Sequence, residues 1–379
     1  MLRNQSRLFA KANAPCLSDF NSRSEFQYAA AREMPVTMRG QFVHFRFAFP
    51  QLCQLTCYVL RMKILVTGAA GFIGSVTAEL LLEQGHSVVA LDNLSSGHRE
   101  NVPTAAQFVE GDCGDVDLVS ALEGIDACMH FASLIETSES MHFPEKYFSN
   151  NVASTFRLTQ ALISSHVDKF VFSSSCAVYG EIVGRVSEKH TKVPVSPYGQ
   201  CKLMVEQGLE WLANQGRLRS ACFRYFNAAG AIPNHAERHD PETHLIPLAL
   251  ATANGDREVL KIYGSDYATV DGTCVRDYVH VRDLAQAHVL AMEALDKRQY
   301  LTLNLGSGIG FTNRQVIEMV EKVTNRSVGT SIVDRREGDQ ASTIADISEA
   351  LNILNWEPSN SSLEKMIEDA WVGYREIRV

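Results

Sequence analysis

The chain has no C-x-x-C pair. Its nine cysteines are an odd number scattered over 379 residues. That pattern excludes a disulfide framework and a cysteine-built zinc site, and no metal is expected from it; it reads as reduced intracellular thiols. Basic excess is missing too. Lys+Arg 35 against Asp+Glu 44 gives a net charge of −9, with no basic run or aromatic-basic stripe, which argues against a nucleic-acid partner. A long unbroken apolar run is also lacking. The stretch Phe42–Leu60 is apolar but interrupted by Arg46 and Pro50, too short and too broken to span a bilayer, so no membrane partner is expected. What remains, 45% hydrophobic and 21% charged residues, is ordinary for a soluble globular protein of one large domain or two.

The most informative segment that is present runs from Lys63 to Asp92. The apolar run Ile64, Leu65, Val66 ends at Gly68, Gly71 and Gly74. An amphipathic pattern follows, with Ile73, Thr77, Leu80 and Leu81 on one helical face. A second apolar run, Val88 to Leu91, then ends at Asp92. This is a βαβ unit of about 30 residues with a glycine-rich first turn. Glycines let the backbone turn tightly and let a pyrophosphate approach, and the helix N-terminus offers unpaired N–H groups to it. Asp92 can accept hydrogen bonds from an adenosine ribose, which favours NAD over NADP. The spacing is G-x-x-G-x-x-G, and the plain alternative is a tight βα turn without ligand.

The α/β alternation continues. Strands are expected at Gln107–Glu110, Asp126–Phe131 and Lys169–Ser174, with helix-type sequence over Pro144–Ser165. Strands alternating with helices imply a Rossmann-type doubly wound parallel sheet, whose ligands bind outside the strands' carboxyl ends. Asp92, Asp112, His130 and the serines Ser173, Ser174 and Ser175 all fall at such ends. They are therefore expected in one crevice.

Residues 1–61 fit this pattern poorly, being arginine-containing, acid-poor and aperiodic. An organellar transit peptide, an accessory segment and a true start at Met62 are the readings. The last is preferred, since a nucleotide-binding first strand conventionally lies near a protein's start.

A second constellation is Ser196, Pro197, Tyr198 and Lys202. Ser196 suits a helix N-cap with Pro197 at the first helical position. Tyr198 and Lys202, four apart, then share a helix face. A phenol of pKa about 10 is a poor base at neutral pH. A neighbouring ammonium, together with a positive nicotinamide ring, is expected to lower that value and make Tyr198 a general base. Ser175 can share a hydrogen bond with a substrate hydroxyl. The plain alternative is a solvated surface pair.

With these residues in view, the sequence from about Met62 onward resembles the extended short-chain dehydrogenase/reductases. Within them it resembles the UDP-glucose (UDP-galactose) 4-epimerases. The specific pieces are Arg224-Tyr225-Phe226-Asn227, then Asp266 through Val275-Arg276-Asp277-Tyr278 to Asp283, and Arg335-Arg336 with Asp339. The resemblance implies a Rossmann domain over about 62–229 and a smaller substrate-binding lobe over 230–379. Some segments, about 280–309, would cross back to the first domain. It places Gly68, Gly71, Phe72, Ile73, Gly74, Asp92, Asn93, Asp112, Cys113, Phe131, Ala132, Ser133, Asn150, Tyr198, Lys202 and Tyr225 along NAD. It places Ser175, Tyr198, Asn227, Tyr263, Arg276, Arg336, Asp339 and Thr343 along the UDP-sugar. Within that set, Asn227 and Arg276 meet the diphosphate, Tyr263 the uracil, and Arg336 and Asp339 a phosphate and the uridine ribose. The plain alternatives are an ion pair of Arg276 with Asp277 alone and, for Tyr263, an ordinary core aromatic. His280 and Asp283 are expected to stabilise a loop or helix start.

The implied reaction is inversion at C4 of the sugar through a 4-keto intermediate that turns about its diphosphate link, in a cytoplasmic homodimer of galactose metabolism. The helices near Pro144 and Pro197 are the candidate dimer contacts. Two departures stand out. Ile135 occupies a position where relatives often carry Lys. Thr343 falls where some relatives carry Tyr in the sugar-pocket wall, which opens N-acetylated or pentose UDP-sugars as substrates. The rival readings are a nucleotide-sugar dehydratase or decarboxylase and a non-catalytic NAD-sensing relative. The first usually needs an acid beside the serine strand end, and here none occurs before Glu181; the second typically lacks the Tyr or the Lys.

Overall fold

The structure is a computed structural model that describes residues 61–336 and 339–376. The 1–61 extension, Arg61 apart, lies outside the described residues, as do Glu337 and Gly338 of the Arg336–Asp339 segment. The strands are β1 (Lys63–Thr67), β2 (Ser87–Asp92), β3 (Gln107–Glu110), β4 (Ala127–His130), β5 (Lys169–Ser175), β6 (Gly184–Val186), β7 (Arg219–Tyr225), β8 (Asn227–Ala229), β9 (Leu260–Tyr263), β10 (Val275–His280), β11 (Tyr300–Leu305), β12 (Gly310–Thr312), β13 (Thr330–Val333) and β14 (Ser342–Ala345). The helices of ten residues or more are α1 (Phe72–Glu83), α2 (Ser154–Ser164), α3 (Pro197–Asn214), α4 (Leu245–Asn254), α5 (Val281–Lys297), α6 (Asn313–Thr324) and α7 (Leu363–Glu376).

β1 shows why the main sheet forms. Successive side chains alternate between faces. Ile64 and Val66 enter one apolar core while Leu65 enters another, all at 0% exposure. Burial on both faces is the mark of a parallel strand covered by helices on each side, and each such side chain contributes about 1.5–3 kcal/mol. α5 supplies Leu284, Ala287 and Ala291 to the first core, and α2 and α3 supply Leu158, Leu162, Val205 and Leu209 to the second. Among the described residues the main sheet has seven strands in the order β11-β7-β5-β4-β1-β2-β3. Every pairing in it is parallel. The order reverses at β1, with β2 on one side and β4 on the other. This is the doubly wound switch point beside which such sheets open a ligand crevice.

The smaller elements gather separately. β12, β10, β14 and β6 form a mixed sheet, β8 adds to β10, and β9 pairs with β13. α4, α6 and α7 pack on them through Leu250, Val316, Val320, Met366 and Ile367. β11, from within the crossing segment, returns to pair with β7 in the main sheet.

Two local differences from the expected pattern are informative. α1 buries Phe72, Gly74, Ser75, Val76, Thr77, Ala78 and Leu81, more than one stripe, while Ile73 and Leu80 are only half-buried. β1 and β2 cover one side of it and α5 another. The run expected as one helix over 144–165 contains a π-helical stretch, Phe148–Ala153. Such widened turns recur at functional sites. Here the stretch turns the Asn151 amide onto Leu134, accepting from its N–H at 2.8 Å and donating to its O at 2.9 Å.

Candidate active site

At the end of β1 the chain turns through Gly68 with φ +68°. A Cβ there would lie 2.5 Å from Ala132 N, and one at Gly74 would lie 2.1 Å from Gly68 O. The glycines thus let the β1 and β4 ends pack backbone to backbone. Gly71 is the N-cap of α1 and offers no side chain to its first-turn N–H groups, which leaves them available to an anion. Asp92, 8% exposed, accepts from Ala70 N at 2.9 Å and Leu94 N at 2.8 Å. Those two bonds fix the carboxylate and use only part of its capacity of about four acceptor positions. Phe72 is buried and Ile73 half-buried in that first turn. These features fit a dinucleotide held at the turn.

Further along the same edge, Asn93 approaches Asp112 at 3.5 Å, and Asp112 also takes Gly114 N at 2.7 Å. Cys113 is pushed up to about 12, first by burial and then by Asp112. Phe131, Ala132 and Ser133 are half-buried after β4, and Ser133 Oγ donates to Leu134 O at 3.2 Å. Asn150 is half-buried in the π-helical stretch.

Not every strand-end residue reaches the crevice. His130 is 2% exposed, pinned between Thr67 Oγ1 at 2.6 Å and Thr155 Oγ1 at 2.9 Å. Burial holds its pKa down to about 3, with the Lys202 charge adding to the effect. It is a neutral tie between β1 and α2. Ser173 and Ser174 are likewise buried, and Ser174 donates to Glu206 Oε1 at 2.5 Å. Only Ser175 of the three is partly open. Tyr225 is buried too, its ring in the core and its hydroxyl 2.6 Å from His288 Nε2.

α3 starts as the sequence indicates. Ser196 Oγ accepts from Gly199 N at 3.1 Å, with Pro197 in the first turn. Tyr198 is half-buried and Lys202 is 3% exposed, with its Nζ 5.7 Å from the Tyr198 ring centroid. The ammonium donates to Ser173 O at 2.7 Å. In the protein's own groups burial works against the expected lowering of the phenol. Burial pushes Tyr198 up to about 12, partly offset by hydrogen bonding with Ser175. Burial likewise pulls Lys202 down to about 7. Desolvation disfavours both charged forms, and for Lys202 it outweighs the opposing pull of Cys201 and Glu206.

Sequence reasoning missed the network behind this helix. Glu206 forms a fork with Arg224, through Oε1 to Nε at 2.9 Å and Oε2 to Nη2 at 2.6 Å, both side chains 3% exposed. Arg224 Nη1 continues to Tyr179 OH at 2.8 Å, which donates to Asn304 Oδ1 at 2.6 Å. The signal was present: Glu206 lies four residues beyond Lys202 on the same helix face, a charge on an inward side.

The remaining residues lie on the smaller sheets. Asn227 Nδ2 donates to Asp277 O at 2.7 Å. Arg276 does not pair with Asp277, because neighbours along a strand point to opposite faces. Its guanidinium donates to Val275 O at 3.0 Å and Gln340 O at 2.7 Å, and meets Asp339 at 3.3 Å. Asp277 is fully buried and accepts from Ser307, Gly308 and Ala345. Tyr263 is half-buried, with the Arg336 guanidinium stacked 3.9 Å from its ring centroid. Thr343 sits opposite Arg276 in the β10–β14 ladder and donates to Gln340 Oε1 at 3.0 Å. Ile135 is 38% exposed. His280 caps α5, accepting from Arg282 N at 3.0 Å, and buried Asp283 accepts from Asn360 and Ser361, as expected for loop and helix-start roles.

The sequence matches the NAD dependent epimerase/dehydratase family over residues 64–306. The chain belongs to that family. It is 45% identical over 322 residues to a UDP-glucose 4-epimerase of Halalkalibacterium halodurans, covering 83% of this chain and 96% of that protein. The structure is similar to that of UDP-glucose 4-epimerase from Brucella ovis in complex with NAD, with TM-score 0.80 and 42% identity over 83% of this chain and 98% of that one. It is also similar to the Stenotrophomonas maltophila UDP-glucose-4-epimerase with bound NAD and formylated UDP-arabinopyranose, with TM-score 0.81 and 40% identity over 84% and 99%. Members of this family are NAD-dependent, and the glycine turn, the bare α1 N-terminus and Asp92 are the parts of this chain that fit the cofactor.

Proposed function

We propose that this protein is an NAD-dependent epimerase that inverts C4 of a UDP-sugar and interconverts UDP-glucose and UDP-galactose. The observation that carries the reading is the joining of two structures in one sheet. A glycine turn ends β1, and Ser175 ends β5 at the same edge, with Tyr198 and Lys202 on the helix behind it, in a chain 45% identical to a UDP-glucose 4-epimerase.

NAD, when bound, supplies a hydride acceptor and donor for C4. Gly68, Gly71, the first turn of α1 and Asp92 hold it, with Asn93, Asp112, Cys113, Phe131, Ala132, Ser133 and Asn150 along the same edge. Tyr198 takes the proton from the sugar 4-hydroxyl and returns it once the sugar has presented its other face. Ser175 shares a hydrogen bond with that hydroxyl. Lys202, held on Ser173 O, sets the field around the phenol. Arg276, Asn227, Arg336, Tyr263 and Asp339 anchor the uridine diphosphate, so that binding energy serves positioning. Thr343 beside Arg276 leaves room in the sugar-pocket wall, and N-acetylated or pentose UDP-sugars are the second substrate reading.

The 62–229 and 230–379 portions, with 280–309 crossing back, are proposed as the cofactor and substrate domains. The site of action is proposed as the cytoplasm, consistent with the free cysteines. A homodimer is proposed through α2 and α3. Their inward faces meet the sheet, while Trp211 is 70% exposed on a groove shared with Phe156, Ile163 and Leu212. Light scattering that gives a monomer mass at micromolar concentration would sink the dimer.

The reaction is tested with a panel of UDP-sugars and chromatographic product analysis. Tyr198→Phe keeps the ring and removes the proton-transfer group, so turnover should fall about 10²–10⁴-fold with NAD still bound. Near wild-type epimerisation by that variant would refute the assignment.

A further inference from the structure

The segment joining β8 to α4 carries four side chains outside the residues assigned above to cofactor and substrate. Glu237, His239, Glu242 and His244 each turn one donor atom toward a common point, and the four atoms lie within 4.8 Å of one another. His244 Nδ1 is 2.8 Å from Glu237 Oε1 and 2.9 Å from Glu242 Oε1. His239 Nδ1 is 3.1 Å from Glu237 Oε1 and 3.9 Å from Glu242 Oε2. The Glu237 side chain is 9% exposed, while His244 is 41% exposed and leaves an entry path. The segment is also fastened to the turn after β2, through His98 Nε2 to Arg238 O at 2.9 Å and Arg238 to Glu100 at 3.0 Å.

Metal–ligand bonds of about 2.0–2.2 Å place neighbouring donors about 3.3–3.6 Å apart. Three of the four separations, 2.8, 2.9 and 3.1 Å, are hydrogen-bond lengths that an ion would widen by a few tenths of an ångström, and the fourth, 3.9 Å, would shorten. Two imidazole nitrogens with two carboxylate oxygens suit a borderline ion such as Zn²⁺ or Co²⁺ and disfavour hard cations that take oxygen alone. Two carboxylates balance a dication. They also offset the α4 dipole, which opposes positive charge at a helix start.

We infer that Glu237, His239, Glu242 and His244 form a zinc-type metal site that clamps the β8–α4 segment. The four residues follow an E-x-H-x-x-E-x-H spacing, which contains no cysteine. Binding displaces the Nδ1 protons to solvent and leaves both imidazoles as neutral ligands.

The test uses the full chain, freed of metal by a chelator and then titrated with ZnCl₂ and, separately, CoCl₂. The expected result is one ion per chain, a rise in Tm of at least about 3 °C, and visible absorption bands of four-coordinate Co²⁺. His239→Ala/His244→Ala should abolish all three. Glu242→Gln, a milder change that guards against misfolding, should weaken binding at least about tenfold. Three outcomes would overturn the site: no stoichiometric binding by the wild type, equal binding by the variants, or lower variant stability with no metal-dependent component. The last would mark a hydrogen-bonded cluster alone.

Discussion

Two regions of this molecule are suited to hold anions, and they are built from different materials. At the end of β1 the groups are backbone: Gly68, Gly71 and the bare first turn of α1. Around β10 they are side chains: Arg276, Asn227 and Arg336. The first is contiguous in sequence and positioned by a helix and two strands. The second depends on Arg276 being oriented by Gln340 O and Asp339, more than 60 residues away. A backbone site tolerates no added atom, whereas a side-chain site tolerates substitution and loses affinity instead. That contrast predicts different failures in the two regions.

The largest effect is expected at Gly68. An alanine there costs about 1–2 kcal/mol for the left-handed backbone and about 1–3 kcal/mol for the overpacked contact with Ala132. Gly68→Ala should lower the urea midpoint and the NAD content of the purified protein together. A stable, NAD-replete variant would break the comparison.

Arg276→Lys should act mainly on substrate, with a smaller loss of stability from the bonds to Gln340 O and Asp339. Losing the guanidinium fork forfeits hydrogen bonds to charged groups worth about 1.5–3 kcal/mol. KM for the UDP-sugar should rise roughly 10- to 150-fold with kcat less affected; steady-state kinetics decide it. Thr343→Tyr should cost about 1–3 kcal/mol of overpacking for a bulky substrate. It should shift the kcat/KM ratio of UDP-galactose to UDP-N-acetylgalactosamine in favour of the former, and an unchanged ratio would remove Thr343 from the pocket wall.

The smallest effect is a pH response of opposite sign in the two regions. Unfolded, His130 takes up a proton below its ordinary value of 6.5; folded, only near about 3, because it is buried. Between those values the unfolded state holds more protons, so falling pH destabilises the β1–β4 region. Asp277 behaves oppositely. Burial raises it from 3.8 to about 6, so between these values the folded state holds more protons and falling pH stabilises the β10 region. Each contributes about 1 kcal/mol per pH unit within its window. In urea melts from pH 7 to 5, His130→Gln should flatten the loss of stability and Asp277→Asn should steepen it.

Much of the chain was legible because its signals are local. The glycine turn, the strand at Gln107–Glu110, the Ser196 cap and the Tyr198–Lys202 spacing each lie within a few residues. Their geometry follows from φ preferences, alternation and helical period. Long-range residues were less legible. His130 and Ser174 share strand ends with the crevice, yet the pleat turns their side chains to the face opposite Ser175, and Tyr225 is drawn into the core by His288.

The sequence by itself determined the dinucleotide fold, the cofactor preference and the Tyr198–Lys202 helix, since those rest on backbone conformation and short spacings. Only the tertiary structure decided how these groups are charged and held. Burial raises Tyr198 and lowers Lys202, the Glu206–Arg224 fork ties their helix to β7, and Arg276 turns to Asp339 rather than Asp277. Desolvation and pairing depend on which distant segments enclose a group, and a linear pattern carries no measure of that enclosure.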